Sequence, residues 1–344
     1  MVKADPRTAT SDPRRWPTAV VVFLAALLLA WYFVHLRYRL NQEFPLAPLQ
    51  SFLDGTAHKP FQFRMLVPWL VAALRTVIPL DVKALYQWID VAAVLGLFYA
   101  FRYHLKSFFQ GAALNVLPFA LFYVLPWNYL LARDLPILLP YDLAAVAFFA
   151  LGLALLHRRK WSWYYPVFAI ATLNRETMLF LTIIFAVMEY RRLPRGSYAL
   201  HLAAQLGIWL AIKLVIGSVY AGNPGTSFEF YHVGTDVPHW RTNLEMLATP
   251  QRLILFLSSF GFVWILIVAG WKRLRDPFTR KSLWAIPPFV LMVFVIGNLN
   301  EMRVYGELTP LVLTAALLIG AELTGETDRR QIDSTRSEAV GSHK

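Results

Sequence analysis

The chain has no cysteine. That excludes disulfides, thiolate nucleophiles and cysteine metal sites, and it fits either face of a membrane. Charge is scarce as well. Only 16% of the 344 residues are Asp, Glu, Lys or Arg and 57% are hydrophobic, against about 25% charged and about 45–50% apolar in soluble domains. The polar stretches run about 20 to 30 residues, too short for a core of their own, so no separate soluble domain is expected. What the chain has is long apolar runs: "TAVVVFLAALLLAWYFVHL", "LAAVAFFALGLALL", "LILFLSSFGFVWILIVAG", "LWAIPPFVLMVFVIG" and "LTPLVLTAALLIG". A helix crosses a bilayer in roughly 17–25 residues. The reading is an all-α polytopic membrane protein. Its first run lacks a small-residue cleavage site and is therefore read as an anchor.

The net charge of +12 does not point to nucleic acid here. The basic residues sit at the edges of apolar runs, where anionic membrane lipids are the expected partner. Lys and Arg favour the cytoplasmic side of short loops. That places "HRRK" (157–160), "YRRLPR" (190–195), "KRLRDPFTRK" (272–281) and the N-terminal tail with Lys3, Arg7, Arg14 and Arg15 inside. The expected organisation is a cytoplasmic tail over 1–17 and one transmembrane domain over 18–322, with outer loops 37–63 and 221–249. A polar, disordered cytoplasmic tail follows over 323–344. About eight full spans are expected, together with broken or re-entrant helix pairs, in the plasma (inner) membrane of a bacterium, with both termini cytoplasmic.

Two stretches do not fit simple crossings. Residues 161–190 must begin and end inside, and "LNRET" lies near their middle. The chain is expected to climb, turn near Asn174 and descend, with Arg175 and Glu176 at a break between half-helices. Irregular backbone at membrane depth is tolerated only against protein or water. Residues 112–140, with four prolines in "LPFALFYVLPWNYLLARDLPILLP", are expected to form a second broken pair; the rival is a simple extra span with a different N-terminal orientation. In the same walk "MLVPWLVAALRTVIPL" comes in and "ALYQWIDVAAVLGLFYAF" goes out.

This topology gathers ionisable residues at the outer level: Glu43 and Asp54 in the first outer loop, Arg64 at the second helix, Asp134 and Asp142 around one span, and Arg175 and Glu176 in the break. Glu301, Arg303 and Glu307 join them in the last hairpin. Charged groups at membrane depth pair, face a cavity or work. Arg303 and Glu307 share a face if helix has begun there. Acids mixed with arginines suit a phosphate-bearing substrate handled by a general base. Arginine's fork matches phosphate oxygens, and a carboxylate can take a hydroxyl proton. Asp142 also suits a helix N-terminus. Asp90 and Lys213 are leftover intramembrane charges. His58, His232 and His239 lack metal-ligand spacing, and "GNPG" (222–225) reads as a tight turn.

The acidic first outer loop "NQEFPLAPLQSFLDG", "FQFR", "LPYD", "LNRET" and "NEMRVYGELTP" together resemble the GT-C class of multi-spanning glycosyltransferases, which take sugars from polyprenyl-phosphate carriers. The resemblance implies a GT-C-like fold and an inverting transfer on the outer face, from a lipid-linked sugar donor to an acceptor lipid or glycan. It places the acceptor-activating acid in the first outer loop, at Glu43 or Asp54, with Glu43 preferred for its closeness to the first helix. Arg64, Arg175 and Arg303 are then the carrier-phosphate ligands. Asp142, Glu176, Glu301 and Glu307 bind sugar hydroxyls or orient the arginines. No cofactor is required; a divalent metal is compatible but not demanded. The chain departs from the class in having single, separated acids where many members carry an acidic pair, and no periplasmic C-terminal domain. The competing reading is a secondary transporter or flippase for an anionic or lipid-linked solute, since broken helices with charges suit transporters equally. A third is a non-catalytic assembly or export subunit.

Overall fold

The computed structural model describes residues 15–131 and 136–325. Residues 1–14 of the expected N-terminal tail, most of the expected C-terminal tail, and Arg133 with Asp134 lie outside the described residues; residues 15–17, expected in the tail, belong to the first helix. The fold is all-α. Among the described residues, five helices are long and apolar enough to cross a membrane, and a pair bent by 68° makes a sixth if counted as one span. This is the pattern of a multi-spanning helical membrane protein.

The first helix, α1 (Arg15–Leu40), is followed by a two-residue strand β1 (Gln42–Glu43) and the short α2 (Leu49–Leu53). Next come α3 (Leu66–Arg75) and α4 (Val82–Leu105). Asp81 caps α4, accepting from the Ala84 amide at 2.9 Å, which satisfies one of the open amides of a first turn. α3 is not the inward crossing expected from its sequence. Its 10 residues make roughly 15 Å of helix, half a hydrocarbon core. It starts where Met65 donates its amide to Leu173, and α4 starts beside the first loop, where the Tyr86 hydroxyl reaches the Leu49 carbonyl at 3.4 Å. Both ends of α3 therefore lie at the same end of the bundle, and Trp69 and Leu70 face outward.

The direction of α4 follows from two fixed points. Arg37 joins Asp90 of α4 to Asp142 of α7 (Asp142–His157), and the Tyr103 carbonyl accepts from Arg158 just past α7 at 2.7 Å. The two helices are thus parallel, so α4 runs toward the basic clusters, as α7 does, and not away from them as expected from the sequence. The stretch 113–129 returns: α5 (Ala113–Val116), a 3-10 turn and α6 (Leu121–Tyr129) carry the chain from Leu114, held by Arg102, to Tyr129, held by Asn41. It is one continuous passage, not a broken pair. Pro118 falls in the 3-10 turn and Pro126 inside α6, so the prolines shape the passage without reversing it. Strand β2 (Ile137–Leu138) then pairs in parallel with β1 and leads into α7.

α8 (Trp161–Asn174) and α9 (Leu179–Glu189) do reverse near Asn174. α8 leaves the level of Arg159 and ends with the Asn174 amide on the Tyr141 carbonyl at 3.0 Å, whereas α9 ends with Glu189 paired to Arg159 at 2.6 Å. Arg175 between them is extended (φ −161°, ψ 133°). The backbone of the break is not left bare. Leu173 accepts from Met65, and the Glu176 carbonyl accepts from the Trp209 indole at 2.9 Å, as buried irregular backbone requires.

α10 (Arg195–Val219) carries the chain out to the second outer loop and α11 (His239–Leu247). α12 (Pro250–Leu257) and α13 (Val263–Gly270) form the bent pair. Phe260, Gly261 and Phe262 all have positive φ there. At Gly261 a side chain would meet Trp127 at 2.5 Å, so glycine is needed for both φ and space. α14 (Pro277–Ser282) and α15 (Ile286–Ile296) run back to a 3-10 segment, Met302–Leu308, and α16 (Thr309–Leu323) closes the bundle. The basic clusters collect at one end: Arg159 on Glu189, and His157 stacked on Phe278 with ring centroids 4.1 Å apart. The two outer loops are pinned together at the other end. Asn223 donates to the Gly55 and Ala57 carbonyls, and the Lys59 amide donates to Pro224.

Candidate functional site

At the end opposite the basic clusters, four arginines and five carboxylates form one buried network. Asp142, on the first turn of α7, is its centre. Its side chain does not cap its own helix; it accepts Arg175 at 3.2 Å, Arg303 at 3.2 Å and Arg37 at 3.3 Å. Arg37 also reaches Asp90 at 2.6 Å and the Leu139 carbonyl at 2.8 Å. Arg175 lies 2.9 Å from Glu307, whose Oε1 also accepts the Thr177 hydroxyl at 2.7 Å. These six groups are sealed from solvent, apart from Arg303 at its edge.

A second layer faces outward. Arg64 grips Glu176 in a two-point contact at 2.9 and 3.3 Å and donates to the Tyr141 hydroxyl. Its guanidinium lies 4.6 Å from the Tyr141 ring centroid, in cation–π range. Arg303 pairs with Glu301 as well as with Asp142, and its Nε is buried with no partner. The side chains of Glu176 and Glu301 retain 22% and 11% exposure, while that of Asp142 has none. Each rim arginine thus has one deep group that fixes it, Tyr141 or Asp142, and one partly wet carboxylate in front.

Arg303 and Glu307 do not share a face. The segment holding both is 3-10 helix, with three residues per turn, so residues four apart point about 120° from each other. Arg303 meets Glu301 and Asp142 while Glu307 meets Arg175. Gly306 between them carries the Tyr129 side chain directly against its Cα, which only glycine permits.

The structure brings together Arg64, Asp142, Arg175, Glu176, Glu301, Arg303 and Glu307. It does not bring Glu43 and Asp54 to them. Glu43 is exposed and accepts the Leu49 amide at 2.9 Å, at the start of α2; Asp54 is exposed and accepts from Gln50 at 2.8 Å.

Four contributors escape sequence reasoning. Arg37 had the one signal that could have found it: an arginine ending a span on the side where arginines are scarce needs a partner. Asp90 is that partner. Tyr141 offered none beyond its place in "LPYD". Glu229, in the second outer loop, lies within electrostatic range of Arg64, Arg303, Glu176 and Glu301. Burial is the largest influence on its carboxyl and pushes it up to about 7, with Glu301 and Glu176 adding to the rise and Arg64 and Arg303 opposing it. In the same loop His239 is held below its ordinary value by burial and by His232, whose ring lies 4.0 Å away.

An apolar groove of about 740 Å³ lies between the bent α12–α13 pair and α15, over α16. Phe256, Trp264, Trp284 and Pro287 line it, and so do Tyr305 and Leu308 from the same 3-10 segment as Arg303. Among the described residues no group of three or more His, Asp or Glu is placed to hold a metal ion. No family model, curated protein or solved structure matches the chain.

Proposed function

We propose that the chain is a GT-C-like membrane glycosyltransferase. It moves a sugar from a polyprenyl-phosphate carrier to an acceptor hydroxyl on the extracytoplasmic face, with inversion. The observation that carries this reading is that one 3-10 segment serves both the arginine rim and the apolar groove: it holds Arg303 and two groove-lining residues, Tyr305 and Leu308. A lipid with a long apolar tail and a phosphate head fits both features at once. The basic clusters at the far end support a cytoplasmic placement of that end, which would leave both termini inside and the ionic rim outside. Counting 113–129 and α7 as crossings gives about eight passages plus the re-entrant α8–α9 pair.

Arg303 and Arg64 receive the carrier phosphate, which replaces Glu301 or Glu176 in front of them. The displaced carboxylates turn to the sugar hydroxyls. As the bond between the anomeric carbon and the phosphate oxygen breaks, charge grows on the phosphate, and the fixed guanidiniums are already aimed at it. Arg175, held by Asp142 and Glu307, keeps the break in shape behind the rim rather than touching the phosphate itself.

The test is direct. The purified chain in nanodiscs is given polyprenyl-phosphate mannose, glucose or arabinose, labelled in the sugar, with cell membranes as acceptor. The expected result is release of polyprenyl phosphate with the label transferred in inverted configuration. No turnover of any of the donors overturns the reading. The transporter alternative draws on the helix break at Arg175. It predicts that intact labelled donor crosses between leaflets of proteoliposomes without cleavage.

A further inference from the structure

The second outer loop holds a cup of about 600 Å³, formed by residues 225–235 together with His58 of the first loop. Its wall is mixed: backbone, threonine and serine, the rings of Phe228, Phe230 and Tyr231, and His232. Phe230 and Tyr231 are half exposed or more. Flat rings beside hydroxyls and free backbone groups suit a hydroxyl-rich ligand, whose apolar faces stack on the rings while its polar edges bond. The cup is not a drifting loop. Lys59 and Asn223 tie its beginning to the first outer loop, and His239 and Asn243 of α11 tie its end to residues 294–298.

Glu229 is the one acid lining this cup. The same carboxylate lies within electrostatic range of Arg64, Arg303, Glu176 and Glu301, and it lines the cup together with His58 and His232. Its Oε1 is buried and has no hydrogen-bond partner. An unpartnered buried carboxylate oxygen is costly unless a donor arrives to meet it. A hydroxyl bound in the cup would supply that donor.

We propose that residues 225–235 form the acceptor site and that Glu229 is the group that takes the proton from the acceptor hydroxyl. The inference rests on the transferase reading above and replaces the first-loop acids in that role. The step balances. The hydroxyl oxygen forms a bond to the anomeric carbon and its proton passes to the Glu229 carboxylate. The carbon–oxygen bond to the carrier breaks, and its electron pair leaves on the polyprenyl phosphate. A carboxyl poised near 7 is well matched to such a base at neutral pH. It also predicts a rate that rises with pH and levels off above about 7.

Nanodisc-embedded wild type, Glu229→Gln, Glu229→Asp and Phe230→Ala are compared with the same labelled polyprenyl-phosphate sugars and membrane acceptor. Binding of unglycosylated polyprenyl phosphate serves as a measure of fold. Expected are a loss of turnover of about 10²–10⁴-fold in Glu229→Gln, partial recovery in Glu229→Asp, and disappearance of the rising pH limb, all with carrier binding kept. Phe230→Ala raises the acceptor KM and leaves kcat in place. Turnover of Glu229→Gln within threefold of wild type, with its pH limb intact, overturns the inference while the transferase reading stands. Absence of turnover in wild type overturns that reading and this inference with it.

Discussion

Arg175 and Arg64 are both arginines at the outer end, each beside a glutamate, and their circumstances are opposite. Arg175 is sealed between Asp142 and Glu307, neither of which has any exposure. Arg64 meets a glutamate that still sees water and stands beside an outer loop. The deep layer cannot exchange partners without leaving a charge bare in a low-dielectric interior, so its groups hold α1, α4, α7, the break and the last 3-10 segment in register. The rim can exchange, because water or a ligand oxygen can replace its carboxylates. The same residue types therefore serve as mortar in one layer and stay open to exchange in the next, and the difference is whether a substitute partner can reach them.

The largest expected effect is in the deep layer. Asp142→Asn removes the charge shared by three arginines, and breaking buried pairs of this kind costs about 3–5 kcal/mol. Thermal unfolding in detergent is expected to show a large drop, or the protein fails to accumulate. Arg175→Met and Glu307→Leu should each destabilise by a similar amount, while the double variant recovers much of the loss, because a buried pair replaced by apolar groups is often neutral. If the double variant is as unstable as the sum of the singles, the pair is not an isolated unit of the network.

Rim substitutions should separate stability from function. Arg64→Ala leaves Glu176 partly wet, so water can stand in for the lost guanidinium, and it removes charge-assisted bonds to phosphate worth about 1.5–3 kcal/mol. Carrier affinity should fall roughly 10- to 100-fold while the unfolding temperature falls much less than in Asp142→Asn. A matching fall in both would put Arg64 with the deep layer.

The Glu229 carboxyl gives a smaller effect with a definite sign. Its pKa is raised on folding, so the folded state holds the proton more tightly. Stability linked to this group is fully present below the unfolded carboxyl range and is lost as pH rises toward about 7, while turnover rises over its upper part. Measured stability that increases through this window by way of Glu229 would contradict its placement. The smallest effect belongs to Asp54→Asn, an exposed loop change expected to stay within about 0.5 kcal/mol and to leave transfer intact.

Much of this arrangement was legible in the sequence. Long apolar runs announce the class, and "LNRET" between two basic clusters announces a reversal, because charged residues cannot face lipid there. Seven of the nine site residues singled out from the sequence meet in one network for the same reason. The direction of α4 was not legible. It depends on whether α3 crosses, and a 10-residue helix extended by "TVIPL" reads like a short span until its two ends are seen together. The prolines of 113–129 misled because proline in a helix can bend it without turning the chain back. Glu229 left no signal at all. A loop has no periodicity, and it reaches the rim only because Lys59, Asn223 and Asn243 tether the loop from elsewhere in the sequence.

In the proposed reaction, rim and groove act together on one lipid phosphate. The affinity of nanodisc-embedded protein for polyprenyl monophosphate, measured for wild type, Arg303→Ala and the groove-filling Val290→Trp, tests it most directly. Both substitutions are expected to weaken binding at least tenfold, with an apolar-tailed alcohol of the same length losing affinity only to Val290→Trp. Equal affinity for the phosphate in all three proteins would contradict it.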